Sequence, residues 1–207
     1  MPPKVSDRYK EQKRASLLKS AFDCFAEKGF HQTTIDDIAA HAKSSKGAIY
    51  NYFSSKEEIF LQILESRNRE TMERLRTAFA TMPSSAEKLR YLLDKNRRIP
   101  VLPEAKSWGV LQMEFLLNAS RHERIQQTVE LQYEMFMLFY KEIMEEGRAN
   151  GEFRADLDTH VAASLFWKLT NGIALHFALM TNDQVYDPVL EGAEEMLFCY
   201  LSVGKGS

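Results

Sequence analysis

The chain has 207 residues, with 27 Lys and Arg against 29 Asp and Glu, so its formal net charge is −2. Hydrophobic residues at 44% exclude a disordered chain, and nine Gly with six Pro are too few for a turn-rich β-sandwich or barrel. The scarcity of Gly and Pro therefore favours a helical protein, and two Cys are too few for a disulfide framework. Because neither an apolar leader nor a membrane-spanning stretch occurs, we expect a cytoplasmic protein.

Positive charge is concentrated at the start of the chain. Residues 1–56 carry 10 Lys and Arg against 6 Asp and Glu, a net charge of +4, whereas residues 57–207 carry 17 against 23, a net charge of −6. Chance variation explains this difference in net charge as well as an anion-binding N-terminal segment does. The local patterns have to decide between the two.

The first element is a long amphipathic helix. Apolar residues recur at helical spacing from Asp7 to Lys28, and Gly29 is placed to end the helix in a left-handed cap. Cys24 lies beside the apolar stripe, where a core role is favoured over a reactive thiol.

Two short helices follow. Thr34 is a candidate N-cap for a helix that runs to about Ala42, and residues 43–45 are typical of a turn. Ser45 is then the candidate cap of a third helix over residues 46–53. Two short helices joined by a three-residue turn, after a longer helix, form a helix-turn-helix arrangement, whose exposed second helix fits the DNA major groove.

The motifs of residues 17–60 resemble the N-terminal domain of the TetR family of bacterial transcriptional regulators. Residues at matching places are Phe25, Gly29, Phe30, Thr33, Thr34, Ile38, Ala39, Ala42, Ser45, Gly47, Ile49, Tyr50, Tyr52, Phe53 and Lys56. Two residues depart from the family pattern, because Lys43 and Ser44 stand where glycine and valine are usual. A lysine in a left-handed turn costs about 1 kcal/mol, so we expect the fold to survive with a looser turn.

The resemblance implies a DNA-binding surface and double-stranded DNA as a partner. It places Thr34 and Lys56 on phosphates, Lys46, Gly47 and Ala48 at base edges, and Tyr50 and Tyr52 on the DNA backbone. The candidate DNA-binding residues are Thr34, Lys43, Ser45, Lys46, Gly47, Ala48, Tyr50, Asn51, Tyr52 and Lys56. Structural alternatives stay open for four of them. Tyr50 also fits interhelical packing, Lys56 and Lys43 also fit solvated positions, and Asn51 fits adenine recognition no better than a role without a DNA contact.

The remainder of the chain is predicted to be a helical bundle. A long helix runs from Lys56 to about Ala80, and another runs to about Arg98 after the break at residues 83–85. Pro100 and Pro103 bracket a loop, and four further helices are predicted over residues 108–119, 122–150, 157–181 and 188–203. The expected architecture is all-α with about nine helices, divided into a DNA-binding domain (residues 1–56) and a ligand-binding and dimerisation domain (residues 57–207).

The resemblance also implies a homodimer. The last two predicted helices carry broad apolar faces, which with a symmetry mate would form a four-helix interface. The candidate interface residues are Val161, Leu165, Leu169, Ile173, Phe177, Val189, Ala193, Met196, Leu197 and Tyr200. The alternative is that these faces are used inside one protomer. Cys199 is expected to be a buried filler there.

A small-molecule effector is the remaining implied partner. Aromatic and methionine side chains are dense in the second domain and suit an apolar or aromatic ligand, with a few polar residues to orient it. The candidate pocket residues are Trp108, Gln112, Met113, Glu114, Phe115, Phe136, Phe139, Tyr140, Phe166, Trp167, Asn171 and His176. Each of them also fits a plain core role, and Glu114 also fits an ion pair with an arginine.

The sequence therefore predicts a ligand-responsive transcriptional regulator, with repression favoured over activation. We expect neither a cofactor nor a metal, because His and carboxylates lack metal-ligand spacing, and we expect no enzyme, because a nucleophile elbow and a Gly-rich phosphate loop are missing. The alternative is a helical small-molecule carrier or protein-interaction module that does not bind DNA specifically.

Overall fold

The computed structural model describes residues 7–97, 103–119, 123–179 and 186–202, and every regular element in these ranges is an α-helix. The described helices are α1 (Asp7–Lys28), α2 (Ile35–His41), α3 (Lys46–Tyr50), α4 (Lys56–Phe79), α5 (Ser85–Arg97), α6 (Pro103–Ala119), α7 (Glu123–Ala149), α8 (Thr159–Leu179) and α9 (Tyr186–Leu201). The predicted all-α architecture is confirmed. Across the same ranges, a helix with the length and apolar content of a membrane span does not occur.

Most predicted helix ends agree with the structure to within two residues. α6 is an exception, because it begins at Pro103, five residues before the expected start. Proline suits the first turn of a helix, where its missing N–H would have no helical partner. α3 is the other exception, because it ends at Tyr50 and not at Phe53.

The chain divides into two compact units. The first contains the described residues up to Thr71 together with Leu111–Val129, and the second contains Met72–Val110 and the described residues from Glu130 onward. These units differ from the division at residue 56 that the motif suggests, because α4, α6 and α7 each contribute residues to both units.

Contacts among four phenylalanine rings explain why part of α6 belongs to the first unit. The ring of Phe115 stacks on that of Phe60, with 4.1 Å between their centroids, and meets the ring of Phe30 edge-on at 5.5 Å. Phe25 contacts both Phe30 and Phe60, and all four side chains are buried. The neighbouring Glu114 accepts a hydrogen bond from the backbone N–H of Phe30 at 2.7 Å.

The second unit has a larger core built from α4, α5, α7, α8 and α9. Phe79 stacks on Phe139 at 5.6 Å, and Tyr140 contacts Phe166 at 5.4 Å. Polar contacts lie at its margin, where the Glu152 carboxylate accepts from the backbone N–H groups of Ser85 and Ala86, both at 3.0 Å. These bonds satisfy two of the N–H groups at the start of α5 that have no helical partner.

The two cysteines differ in burial. Cys24 is buried in the first unit, as expected, and burial raises the pKa of its thiol. Cys199 is exposed on α9, so the expectation of a buried filler is wrong. The reason is the helix register, because Ala193, Leu197 and Leu201 supply the buried face of α9 and Cys199 falls on the other side.

Candidate functional site

The start of α2 is fixed by a reciprocal capping box. The N–H of Asp37 donates to Thr34 Oγ1 at 3.1 Å, and the N–H of Thr34 donates to Asp37 Oδ2 at 2.8 Å. Lys28 Nζ lies 2.6 Å from Asp37 Oδ1 and, together with the Thr34 hydrogen bonds, holds the pKa of that carboxyl well below its usual range. The Thr34 hydroxyl also donates to Asp37 Oδ2 at 2.6 Å, so a phosphate contact by this hydroxyl requires that hydrogen bond to be exchanged.

The turn between α2 and α3 contains the predicted left-handed lysine. Lys43 has φ +47°, and its N–H donates to Ala40 O at 3.2 Å. The next residue, Ser44, donates its N–H to Ala39 O at 2.9 Å. These bonds hold the turn in spite of a backbone conformation that costs a side-chain-bearing residue about 1 kcal/mol.

α3 presents nearly all of its surface to solvent. Ser45 Oγ accepts from the N–H of Ala48 at 3.1 Å, which confirms the predicted N-cap, and Ile49 is the one buried residue of the helix. Within 44–53 the exposed residues are Ser45, Lys46, Gly47, Tyr50 and Asn51. α3 ends early because the chain turns inward to bury Phe53, with Tyr52 N–H donating to Ile49 O at 2.9 Å.

Gly47 is not required by the packing of this chain. A Cβ built on it would meet no atom within 4 Å, and its φ is not positive. Glycine inside a helix costs roughly 1 kcal/mol relative to alanine. Its presence at an exposed position is therefore consistent with a partner that approaches the backbone closely.

Lys46 is held beside α2 by an exposed ion pair. Its Nζ lies 2.9 Å from Asp36 Oδ2, and that hydrogen bond raises the pKa of Lys46. An exposed pair of this kind is weak in water. A DNA phosphate or a base acceptor can therefore replace Asp36 as the partner of Lys46.

Lys56 occupies a different environment from the one expected. Its ammonium donates to the backbone carbonyls of Phe30 at 2.7 Å, Thr33 at 2.9 Å and His31 at 3.2 Å, and it lies 4.6 Å from the Phe30 ring centroid. Desolvation by burial lowers its pKa. Because a lysine has three donor protons and three acceptors are in place, Lys56 holds the loop between α1 and α2. The expected phosphate contact by Lys56 stays a prediction, and it requires one of these three hydrogen bonds to be exchanged.

The remaining candidates of the helix-turn-helix segment differ in exposure. Tyr50 is 50% exposed, so its ring is not consumed by interhelical packing. Tyr52 is half-buried beside Phe53, with 6.2 Å between the ring centroids, and Ala48 is partly buried.

The structure brings together only part of the predicted effector pocket. Phe136, Phe139, Tyr140 and Phe166 form one continuous set of ring contacts in the second unit, and burial raises the pKa of Tyr140. Trp167 packs edge-on against Tyr133 at 5.0 Å at the margin of this cluster. We call Phe79, Phe136, Phe139, Tyr140 and Phe166 the aromatic cluster, with Tyr133 and Trp167 at its margin.

The other pocket candidates are distributed over both units. Gln112, Met113, Glu114 and Phe115 belong to the first unit, where the last two contact Phe30 as described above. In the second unit, Trp108 is half-buried, and Asn171 and His176 are exposed. Asn171 Nδ2 donates to Trp167 O at 2.8 Å on its own helix.

The candidate dimer residues separate into exposed and buried sets. Val161, Leu165, Val189 and Met196 are 42%, 45%, 46% and 59% exposed, so they remain available for an interface. Leu169, Ile173 and Tyr200 are half-buried. Ala193 and Leu197 are buried within the protomer and are corrected to core residues, because their register on α9 faces α5 and α8. The side chain of Phe177 lies outside the described residues.

Several polar contacts were missed by the sequence analysis. Asp36, Lys28 and Gln62 have no distinguishing pattern of their own, because their partners lie 9 to 48 residues away. Asp37 could have been found, since a threonine followed three residues later by an acidic residue indicates a capping box. Among the residues that the structure describes, His, Cys, Asp and Glu form no group of three that could hold a metal ion.

Comparisons with known proteins agree with the geometry. Residues 17–63 match the model of the bacterial regulatory proteins of the tetR family, and residues 116–193 match that of the Tetracyclin repressor-like C-terminal domain. The chain is 30% identical over 180 residues to the uncharacterized HTH-type transcriptional regulator YfiR of Bacillus subtilis, covering 86% of this chain and 87% of that protein.

Two further similar proteins have names that state a function or a ligand. The fatty acid metabolism regulator protein of Bacillus subtilis is 26% identical over 182 residues, which cover 88% of this chain and 91% of that protein. A crystal structure of a transcriptional regulator FadR from Bacillus subtilis in complex with stearoyl-CoA superposes with a TM-score of 0.71 at 19% identity, covering 90% of this chain and 98% of that one. The structural likeness confirms the fold.

Proposed function

The chain belongs to the TetR family of bacterial transcriptional regulators, and on that premise we propose that it is a repressor that binds a palindromic operator as a homodimer. As a member of this family, the protein is a ligand-responsive, DNA-binding regulator. The proposal adds repression, in keeping with the repressor-like description of the C-terminal match. It also adds the homodimer, a cytoplasmic location without membrane binding, the lack of an enzymatic activity, and an apolar or aromatic effector.

The observation that carries the proposal is that α3 is exposed while its cap and its one buried residue hold it in place. One residue of α3, Ile49, anchors it, while Ser45 caps its start and Lys46, Gly47 and Tyr50 face solvent. Such a helix can enter a major groove about 12 Å wide. Lys43, Asn51 and Tyr52 stay candidates for the rim of the interface, and Thr34 stays a candidate phosphate ligand.

A palindromic operator follows from two-fold symmetry. The exposed apolar residues of α8 and α9, Val161, Leu165, Val189 and Met196, would be covered if the same face of a second protomer packed on them. A dimer of this kind presents two copies of α3, which match half-sites about 34–36 Å apart.

The effector is proposed to contain a long apolar chain. The aromatic cluster supports this chemistry, because aromatic side chains bury large apolar areas. The names of two similar proteins point the same way, one being a fatty acid metabolism regulator and the other a FadR in complex with stearoyl-CoA. Binding would favour a dimer whose two α3 helices no longer match one turn of DNA.

The experiment begins with selection of fragments of the source genome by the purified protein, followed by sequencing. We expect one enriched palindrome, bound by a dimer and with strong salt dependence. Lys46→Ala should weaken operator binding at least tenfold, and Val161→Glu with Met196→Glu should give a monomer that does not bind the operator. Absence of an enriched palindrome would instead favour the carrier interpretation.

Effector chemistry is tested on the recovered operator with stearoyl-CoA, stearate and coenzyme A. We expect release by at least one molecule with the acyl chain and none by coenzyme A alone. Release by coenzyme A alone, or by none of the three, contradicts an acyl effector while leaving the DNA-binding proposal intact.

A further inference from the structure

The first ten residues of α1 add nothing to the core of the first unit. None of residues 7–16 is buried, and the first buried residue of the helix is Leu17. The family match also begins at residue 17. A helical segment of this length gains little stability by itself in water. Within this segment, the side chains of Lys10 and Lys13 are exposed and half-buried, respectively, so an external partner can reach them.

This segment carries a basic stripe in register with the buried face of α1. Lys10, Lys13 and Leu17 are three and four residues apart, so they lie on one face of the helix, and the buried Ala21 and Cys24 continue that face. Where the helix leaves the core, lysines thus replace apolar residues at the positions that face inward. A stripe of this kind suits an anionic surface and not an apolar one. The segment has four basic residues against two acidic ones, Asp7 and Glu11.

The stripe starts beside the end of α3. Arg14 Nε donates to Gln62 Oε1 at 3.0 Å, and the Arg14 guanidinium carbon lies 5.9 Å from the Phe53 ring centroid. Phe53 follows α3 directly, with its N–H donating to Ile49 O at 3.0 Å. At 1.5 Å rise per residue, Lys10 lies about 6 Å farther along the helix axis than Arg14. The stripe is therefore on the same unit as the candidate recognition helix and close to its C-terminal end.

We propose that Lys10 and Lys13 form a second DNA-binding surface, which binds phosphates of the duplex beside the groove occupied by α3, while Arg14 anchors the helix to Gln62 and Phe53. The inference rests on the proposed function. It adds sequence-independent affinity from residues that precede the family match. Phosphate contacts release condensed counterions, so each contact contributes about 0.9 to the slope of log affinity against log salt.

The test compares two double variants of the full-length protein. Lys10→Gln with Lys13→Gln removes the stripe. Arg8→Gln with Lys19→Gln removes the same charge from the other side of α1. Residue 8 lies about 200° around the helix axis from residue 10. Residues 8 and 19 are about three turns apart, so they share that face, and both are exposed. Glutamine is a good helix former, and no buried side chain is changed in either variant.

Affinity is measured by fluorescence anisotropy over a salt series, on the selected palindrome and on a scrambled duplex. We expect the Lys10/Lys13 variant to lose about 1.8 from the salt slope and therefore about sixtyfold in affinity near 0.1 M salt, by the same factor on both duplexes. The Arg8/Lys19 variant should keep the slope of the wild-type protein.

The outcomes separate the two proposals. If the wild-type protein selects no palindrome, the proposed function fails. If it selects one, and the Lys10/Lys13 variant keeps the wild-type slope or both variants lower the slope equally, this inference fails alone. A loss on the palindrome with none on the scrambled duplex would also overturn it, because phosphates carry no sequence information.

Discussion

The two units of this protein hold their functional parts in different ways. In the first unit, polar side chains bind backbone groups at the ends of elements: Lys56 binds three carbonyls, Asp37 binds the start of α2, and Glu114 binds the N–H of Phe30. The second unit also has such a bond, because Glu152 binds the start of α5, but its proposed effector site is a set of ring contacts around Tyr140 and Phe166.

The difference has a physical basis. Hydrogen bonds to the backbone are directional, so they fix the loop between α1 and α2 and the start of α2, the helix that α3 contacts. Contacts between apolar rings are individually weak and less directional, so such a cluster can repack around ligands of different shape. A rigid unit for DNA and an adaptable unit for ligand are what a regulator needs, and the following variants test whether the units behave in these ways.

The largest effect is expected from overfilling the second unit. A Cβ on Gly147 would lie 2.2 Å and 2.4 Å from ring atoms of Phe153, a residue that is itself buried. Although alanine is the better helix former, Gly147→Ala should lower the free energy of unfolding of the second unit by about 2–3 kcal/mol.

Tryptophan fluorescence reports on this unit alone, because both tryptophans of the chain, Trp108 and Trp167, belong to it. Urea unfolding followed at their emission measures the change. Glu142→Ala, at an exposed position of the same helix, is the control and should change little. A Gly147→Ala protein as stable as the wild type would mean that the packing around Phe153 is adaptable as well.

The next effect concerns the loop held by Lys56. Lys56→Met keeps the aliphatic stem but leaves the carbonyls of Phe30, His31 and Thr33 without the ammonium, so we expect a loss of about 2 kcal/mol in the first unit. Hydrogen exchange of residues 29–41 should become faster, while tryptophan-monitored unfolding of the second unit stays unchanged. Lys19→Met, at an exposed position on α1, is the matched control.

If Lys56→Met leaves hydrogen exchange at residues 29–41 unchanged but reduces the salt slope of DNA binding, the phosphate role that the sequence suggested for Lys56 is supported. The two outcomes are therefore distinguishable on the same protein.

Gly47→Ala separates folding from DNA binding within α3. The new methyl group meets no neighbour within 4 Å, so we expect the first unit to gain about 0.5–1 kcal/mol. Operator affinity should nevertheless fall about tenfold, because the methyl group occupies space that the close approach of DNA requires. Gel shifts and thermal melts on one preparation measure both effects, and equal or tighter binding would contradict a close approach at this glycine.

The smallest effect is a pH dependence of the capping box. The Lys28 ammonium and the Thr34 hydrogen bonds lower the pKa of Asp37, so the stability it contributes is complete above the carboxyl's unfolded pKa near 4 and is lost as the pH falls through the folded one. The stability difference between wild type and Asp37→Asn should therefore be largest near pH 7 and shrink below about pH 4. Urea unfolding by circular dichroism measures it, with Asp36→Asn as a control from the same turn. A constant difference across this range would contradict the ion pair.

The sequence predicted local features well because their causes are local. The Thr34 and Ser45 caps, the left-handed Gly29 and Lys43, and the limits of α1 depend on residues within about four positions of one another. The same holds for the family resemblance, whose residues are in fixed register over residues 17–60. The all-α class followed from periodicity over whole helices.

Only the tertiary structure decided which side chains meet across long separations. Glu114 binds Phe30 over 84 residues and Lys56 binds Phe30 over 26, so periodicity carries no record of either contact. The same limit hid the contact of Phe115 with Phe60 and misplaced Cys199 in the core, because a helical pattern says which residues share a face but not what covers that face. The sequence therefore determined the helices and most of their ends, whereas contacts between distant residues determined which side chains became core, loop support and exposed surface.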